Sequence, residues 1–337
     1  MHFLKPEPAE SIGLITNYRC TFRCKHCLYC SSPELKEEVE EASLLEIIDQ
    51  IDRVLGNVLL HIGGGEPLIH FDLAKKIISN LAKKRIIVEY LETNGSYLLK
   101  NSLSRLQALK DAGLECILVS ISPFHNEFIP AERIKKLVED VISIFGREGL
   151  FPWHPGYLPF LEKVSQHEAV RLEDYFDHFS SSEIIYQLTS IMYIHPGGRG
   201  APTLAKYLPC SHPEELLDKK CLENLSSPVH AHIDFQGNYL AGFCSGLRIG
   251  TEAGRDLSKL YKEGVRLSHY PLLEVLAKDG VRGLYEKARN SGFGARQEGY
   301  VSSCHLCLDL RRHLYFHAES FEELYPGFFY EDIDSLK

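Results

Sequence analysis

From Ser11 to about Ile194, short apolar runs alternate with amphipathic stretches at a regular spacing. The apolar runs fall near 12–16, 57–62, 86–91, 115–121, 150–157 and 184–194 and read as strands. One amphipathic stretch opens on Ser43 with Glu46 three residues on, a capping-box pattern, and continues through Leu44, Ile47, Ile48, Ile51 and Leu55. A second uses Leu73, Ile77, Ile78 and Leu81. A third uses Leu103, Leu106 and Leu109 and stops at Gly113, and a fourth opens at Pro130, a favoured first-turn residue. Strands and helices alternating about every 30 residues predict parallel strands with right-handed crossovers. Six such units are too few for a complete eight-fold barrel. The expected fold is therefore α/β, a partial (β/α)6 TIM-like barrel.

The polar residues of unusual type all fall at the predicted C-terminal ends of strands. A cysteine loop follows the first strand, Gly63-Gly64-Gly65-Glu66-Pro67 the second, Glu92-Thr93-Asn94-Gly95 the third, and Ser120 and Ser122 the fourth. Parallel α/β barrels build their active sites at that end. The pattern then changes at His195-Pro196-Gly197-Gly198-Arg199-Gly200-Ala201-Pro202, a turn-rich break. Beyond it the chain is rich in Cys, His and Gly, with a hairpin predicted over Ile233-Asp234-Phe235-Gln236-Gly237-Asn238-Tyr239-Leu240. The expected division is a barrel over residues 1–200 and a smaller Cys-rich extension over 201–337.

Composition narrows the class without naming the chemistry. The chain has 337 residues, 44% hydrophobic and 25% charged, which is ordinary for a globular protein. A formal net charge of −9 argues against gripping nucleic acid by bulk electrostatics, and none is expected as a partner. No apolar run approaches the ~20 residues that span a bilayer, and the first residues lack the apolar core of a secretory signal. No membrane association is expected, and the expected location is the cytoplasm.

The ten cysteines are clustered rather than spread as a disulfide framework. Cys20, Cys24 and Cys27 place three thiols in eight residues as CxxxCxxC. Thiolates that close repel unless a cation or an iron–sulfur cluster neutralises them. Three ligands for a four-iron cluster leave one iron without a protein ligand, and an open position marks catalytic metal sites. Cys30 offers a fourth thiol, but full ligation would close that position, so Cys30 is assigned a structural or neighbouring role. Cys116, near the start of the fourth strand, is read as a buried inert thiol. The triple glycine is not followed by the Lys-Ser/Thr of a P-loop.

Taken together, the CxxxCxxC loop, GGEP after the second strand, TNG after the third and a polar fourth strand end resemble the radical S-adenosylmethionine (SAM) superfamily over residues 11 to 200. The resemblance implies that Cys20, Cys24 and Cys27 ligate a [4Fe–4S] cluster whose open iron chelates the amino and carboxylate groups of SAM. It implies that Gly64, Gly65 and Glu66 line the methionyl amino group, with Asn94, Ser120 and Ser122 as candidates for the ribose and carboxylate. His26, where relatives usually carry an aromatic residue, is planar and suits packing beside adenine. The expected activity is reductive cleavage of SAM to a 5′-deoxyadenosyl radical that abstracts hydrogen from a small-molecule or peptide substrate, with electrons from flavodoxin or ferredoxin. About ten residues precede the first strand, which tilts the expectation slightly towards a small molecule.

Cys221, Cys244 just after the hairpin, and the Cys304/Cys307 CxxC resemble the "twitch" form of a SPASM-type extension, which implies a second [4Fe–4S] cluster. The spacing from Gly237 to Cys244 is longer than in relatives, and Cys210 competes with Cys221 as the first ligand. Four thiolates suit a structural zinc equally by ligand type. The resemblance implies that a redox-active second cluster takes the electron of the substrate radical, giving a net oxidation, or binds the substrate. His125-Asn126-Glu127 lies where it could meet substrate, and Arg199 sits in a glycine–arginine turn suited to a cofactor carboxylate or to a plain salt bridge. The competing class is a non-catalytic iron–sulfur or zinc protein, which leaves the GGEP loop and the strand-end polar residues without a role.

Overall fold

The computed structural model describes residues 2–250, 256–318 and 320–336. The chain divides into two compact units, one formed by Gly13–Cys24 and Ser31–Ile194, the other by Met1–Ile12, Lys25–Cys30 and His195–Lys337. The break at Ile194 falls where the turn-rich segment begins.

The unit centred on residues 31–194 is an alternating α/β layer. Its elements are β1 (Ser11–Ile15), α1 (Glu41–Leu55), β2 (Leu59–Gly63), α2 (Phe71–Leu81), β3 (Ile87–Thr93), α3 (Ser102–Asp111), β4 (Ile117–Ser120), α4 (Ala131–Phe145) and β5 (Leu150–Trp153). The strand order is β5-β4-β3-β2-β1, with β2 to β5 parallel throughout. Among the described residues no pairing closes β5 back onto β1, so this is an open partial barrel. The helices bury the faces their periodicity predicts: Leu44, Ile47, Ile48 and Ile51 on α1, and Ala74, Ile77, Ile78 and Leu81 on α2.

Two local expectations are corrected. Helix α1 starts at Glu41, with Glu40 in extended conformation ahead of it. Ser43 sits inside the first turn and donates to Glu40 Oε2 at 3.2 Å, so the Ser43/Glu46 pair is not the cap. The sixth apolar run is helical: α5 (Ser181–Tyr186) runs into a π-turn over Gln187–Ile191. Ser180 and Glu183 form the capping box there, and Leu188 and Met192, four apart, are the buried positions. That is helical rather than strand period. Among the described residues this run of the sheet therefore has five strands, not six.

The second unit holds the hairpin β6 (Ala231–Asp234) and β7 (Tyr239–Ala241), paired antiparallel with Ile233 opposite Tyr239. Asp234 Oδ1 accepts the Gln236 and Asn238 backbone N–H groups, and Gly237 takes φ 81°, which closes the turn. Helices α6 (Pro271–Lys278) and α7 (Val281–Asn290) lead to α8 (Ser303–His317), capped by Ser302, whose Oγ accepts the His305 N–H, and to α9 (Gly327–Asp334). The CxxC thus occupies the first turns of α8. No helix among the described residues is long and apolar enough to cross a membrane.

Candidate metal centres

The loop after β2 is built by close backbone approach. Gly65 N–H donates to Asn17 O at 2.7 Å and Glu66 N–H to Arg19 O at 2.9 Å. A Cβ on Gly65 would lie 2.1 Å from Arg19 O, and one on Gly64, which holds φ +133°, would lie 2.4 Å from Asn17 O. Only glycine admits this contact, which pins the loop to the chain entering the cysteine segment.

Glu66 is engaged by neighbouring residues on both carboxylate oxygens. Its side chain has no exposed surface. Oε1 accepts the Leu68 N–H at 3.1 Å and the Thr93 hydroxyl at 2.8 Å, and Oε2 accepts the Asn94 N–H at 2.8 Å. Burial raises its pKa to about 7, with these donors opposing the rise. The carboxylate therefore ties the Gly-Gly-Glu loop to the end of β3.

Asn94 extends the same network to sulfur. Its Nδ2 lies 3.3 Å from Cys20 Sγ and 3.0 Å from Thr21 Oγ1, and the Phe22 N–H lies 3.5 Å from Cys20 Sγ. Thiols accept hydrogen bonds weakly, whereas a metal-bound thiolate accepts them well. Two donors on the Cys20 sulfur thus fit an anionic, ligated state. Cys20 and Cys24 are both buried.

At the next strand end, Ser120 is buried and hydrogen-bonded to Glu92, whose pKa burial raises to about 7. Ser122 has no exposed surface and its Oγ pairs with His125 Nδ1 at 2.8 Å. Burial, then neighbouring His154, lowers the pKa of His125 to about 3, so the ring is neutral. His125 is buried rather than open in a loop.

In the other unit, the segment Lys25–Cys30 is clamped by the glycine–arginine turn. The Arg199 N–H donates to Cys27 O at 3.0 Å and the Thr203 hydroxyl to Lys25 O at 2.6 Å. The Arg199 guanidinium is 2% exposed and pairs with Asp332 at 3.0 Å, the salt-bridge reading of that arginine. Cys30 is buried, holds φ 57° and is hydrogen-bonded to Asp332. His26 and Cys27 are partly exposed.

Four cysteines converge within this unit. Cys221, Cys244, Cys304 and Cys307 all line one cavity of about 250 Å3, together with Lys219, Arg311, His195 and His230. Burial, then the other three thiols, pushes Cys221 up to about 12. Cys244 also reaches about 12, through burial and its neighbours Cys307 and Cys304 and against the nearby Arg311. Without a cation such thiols stay protonated, and a metal centre supplies the charge that releases the protons. Arg311 is 6% exposed, donates to Ser245 O and Tyr330 Oη at 2.9 Å each, and keeps a buried Nε with no hydrogen-bond partner. A buried cation beside four sulfurs fits a centre of net negative charge. Cys221, not Cys210, belongs to this set.

Sequence reading missed Lys219, Arg311 and Asp332. Arg311 was detectable, since it follows Cys304 and Cys307 by seven and four residues and shares their face of α8. Asp332 left no signal, because its partner lies 133 positions away.

Residues 14–147 of this chain match the Radical SAM superfamily. Members use a [4Fe–4S] cluster and SAM. The GTP 3′,8-cyclase of Staphylococcus carnosus is 32% identical over 143 residues, covering 40% of each chain. A probable GTP 3′,8-cyclase of Methanococcus maripaludis is 31% identical over 174 residues, covering 48% of this chain and 54% of that one. The match thus spans about half or less of these curated relatives. Among solved structures, BtrN in complex with AdoMet and 2-DOIA has a TM-score of 0.46 at 14% identity, over 82% of this chain and 90% of that chain.

Proposed function

We propose that this chain cleaves SAM reductively and applies the resulting radical to a small molecule or peptide, with Cys20, Cys24 and Cys27 holding the [4Fe–4S] cluster. The observation that carries the reading is the pair of N–H donors, from Asn94 and Phe22, on the Cys20 sulfur. When bound, the cluster supplies the electron that breaks the sulfonium C–S bond of SAM. The chain's own residues hold and shield that chemistry. The Gly64–Gly65 contacts fix the loop backbone near the methionyl amino group, Glu66 locks this loop to β3, and Asn94 and Ser120 stand at strand ends suited to the ribose and carboxylate. His26 is assigned to the adenine. Flavodoxin or ferredoxin is the reductant class.

The cavity of Cys221, Cys244, Cys304 and Cys307 is assigned a second [4Fe–4S] cluster, with Arg311 and Lys219 offsetting its charge. A redox-active centre there gives the substrate electron a destination and makes the net reaction an oxidation. The curated relatives favour a second reading, rearrangement of a purine nucleotide. Reconstituted protein given SAM and dithionite should release 5′-deoxyadenosine, and its absence would remove the function. Added GTP that disappears in step with 5′-deoxyadenosine would favour the second reading over the first.

A further inference from the structure

We propose that the buried Arg199–Asp332 ion pair is a positioning device that sets the charge around Cys27, and through it the reduction potential of the first cluster. The proposal rests on the function above.

The turn carrying Arg199 is packed directly on the Cys27–Leu28 peptide. A Cβ on Gly198, which holds φ +50°, would lie 2.4 Å from both Cys27 O and Leu28 O. The Arg199 N–H then fixes the Cys27 carbonyl at 3.0 Å. The same residue brings its guanidinium inside, 2% exposed, onto an Asp332 that is 12% exposed. Two charges in such a place cost desolvation, and a packed apolar pair of similar size would often serve stability as well. Their placement has an electrostatic sense instead. One residue, Arg199, both grips Cys27 through its backbone and carries the buried half of the ion pair. Asp332 also takes the hydrogen bond of Cys30, whose thiol burial keeps protonated. Cys30 thereby stands as a neutral neighbour, while the charged pair sits on the residue whose backbone holds the Cys27 carbonyl. Charges beside a cluster ligand shift the potential, because reduction adds a negative charge at short range and low dielectric.

The two partners act in opposite senses, which a purely structural pair does not. Asp332→Asn leaves the cation less compensated and should raise the potential, by about tenfold in the reduction equilibrium, or ~59 mV for one electron. Arg199→Gln leaves the carboxylate and should lower it. Arg199→Lys keeps the charge and should stay nearer the wild type. The measurement is an EPR-monitored redox titration of the reconstituted full chain, following the signal that SAM perturbs. Shifts of one sign in both neutral variants, or none in Asp332→Asn, would overturn the proposal. If Arg199→Gln fails to fold, the direction of Asp332→Asn decides alone. A folded Asp332→Asn protein that builds no first cluster would reassign the pair to assembly and also overturn it. A wild type with no SAM-responsive signal would instead sink the function on which the proposal rests.

Discussion

Glu66 Oε2 accepts the Asn94 backbone N–H at 2.8 Å, and Asn94 then presents its side-chain amide to Cys20 Sγ at 3.3 Å. One buried carboxylate thus links the glycine loop after β2, the end of β3 and the Cys20 sulfur. The Gly-Gly-Glu and Thr-Asn-Gly motifs lie 28 residues apart in sequence at that bond and form a single scaffold.

That link carries a pH signature. Burial raises the Glu66 pKa from 4.5 to about 7, so the folded state holds the proton more tightly than the unfolded chain. Its stabilising contribution is complete below pH 4.5 and is lost as pH rises towards 7. At about 1.4 kcal/mol per pH unit, the loss is on the order of 3 kcal/mol. Glu66→Gln should flatten this part of the stability profile, leaving the contribution of Glu92, which titrates in the same range. Urea unfolding at several pH values checks it, and parallel wild-type and variant profiles would count against the assignment.

Glu66→Gln should also weaken SAM binding, though by a different route from a direct contact. An amide NH2 replaces an oxygen that accepts either the Asn94 N–H or the Leu68 and Thr93 donors. A buried donor left unpaired costs about 1–3 kcal/mol, and part of that loss passes to the loop proposed to hold the cofactor. Equilibrium dialysis with SAM should show roughly a ten-fold or greater loss of affinity, at about 1.4 kcal/mol per decade, with the cluster absorbance retained.

Asn94→Asp keeps the side-chain shape but places a carboxylate where an amide donor faces Cys20. Like charge beside a thiolate disfavours the ligated state. The variant should fold, as judged by circular dichroism, and lose iron and sulfide from the first cluster. Wild-type iron content would show that the amide does not support the Cys20 sulfur.

The scaffold was legible where local pattern and function coincide. Strands β1 to β5, the helices between them and the hairpin around Gly237 follow from apolar period and turn chemistry. The four C-terminal cysteines were legible by type, and the structure lines one cavity with them. The sixth run was misread because Ile184, Ile185, Leu188 and Ile191 form an apolar stretch in which strand and helix periods overlap over so short a length. The inward turn of Glu66 was not legible, since a strand-end carboxylate can serve a ligand or the chain itself. Only the positions of Thr93 and Asn94 decide between them.

Among the nearby thiols, Cys30 should behave unlike the other three. It is 1% exposed and hydrogen-bonded to Asp332. Cys30→Ala should keep the first cluster and SAM cleavage, while Ala at Cys20, Cys24 and Cys27 together should abolish both. Iron analysis and 5′-deoxyadenosine release distinguish the cases. Loss of the cluster in Cys30→Ala with retention in Cys27→Ala would reverse the ligand assignment.

The four-cysteine cavity separates iron from zinc by redox behaviour. Anaerobically reconstituted protein should contain about eight irons, four for each [4Fe–4S] centre. The triple variant of Cys20, Cys24 and Cys27 should retain about half of that iron and remain reducible. Zinc would leave the same variant colourless, because a filled d-shell has no redox chemistry. Arg311 adds a second readout. Its buried guanidinium lies beside Cys307 and Cys244, and its Nε keeps a hydrogen bond in reserve. Arg311→Leu in the triple variant should lower the potential of the remaining cluster, since a nearby cation favours the more negative reduced state. A colourless triple variant carrying one zinc would remove the oxidation step and leave the radical SAM assignment intact.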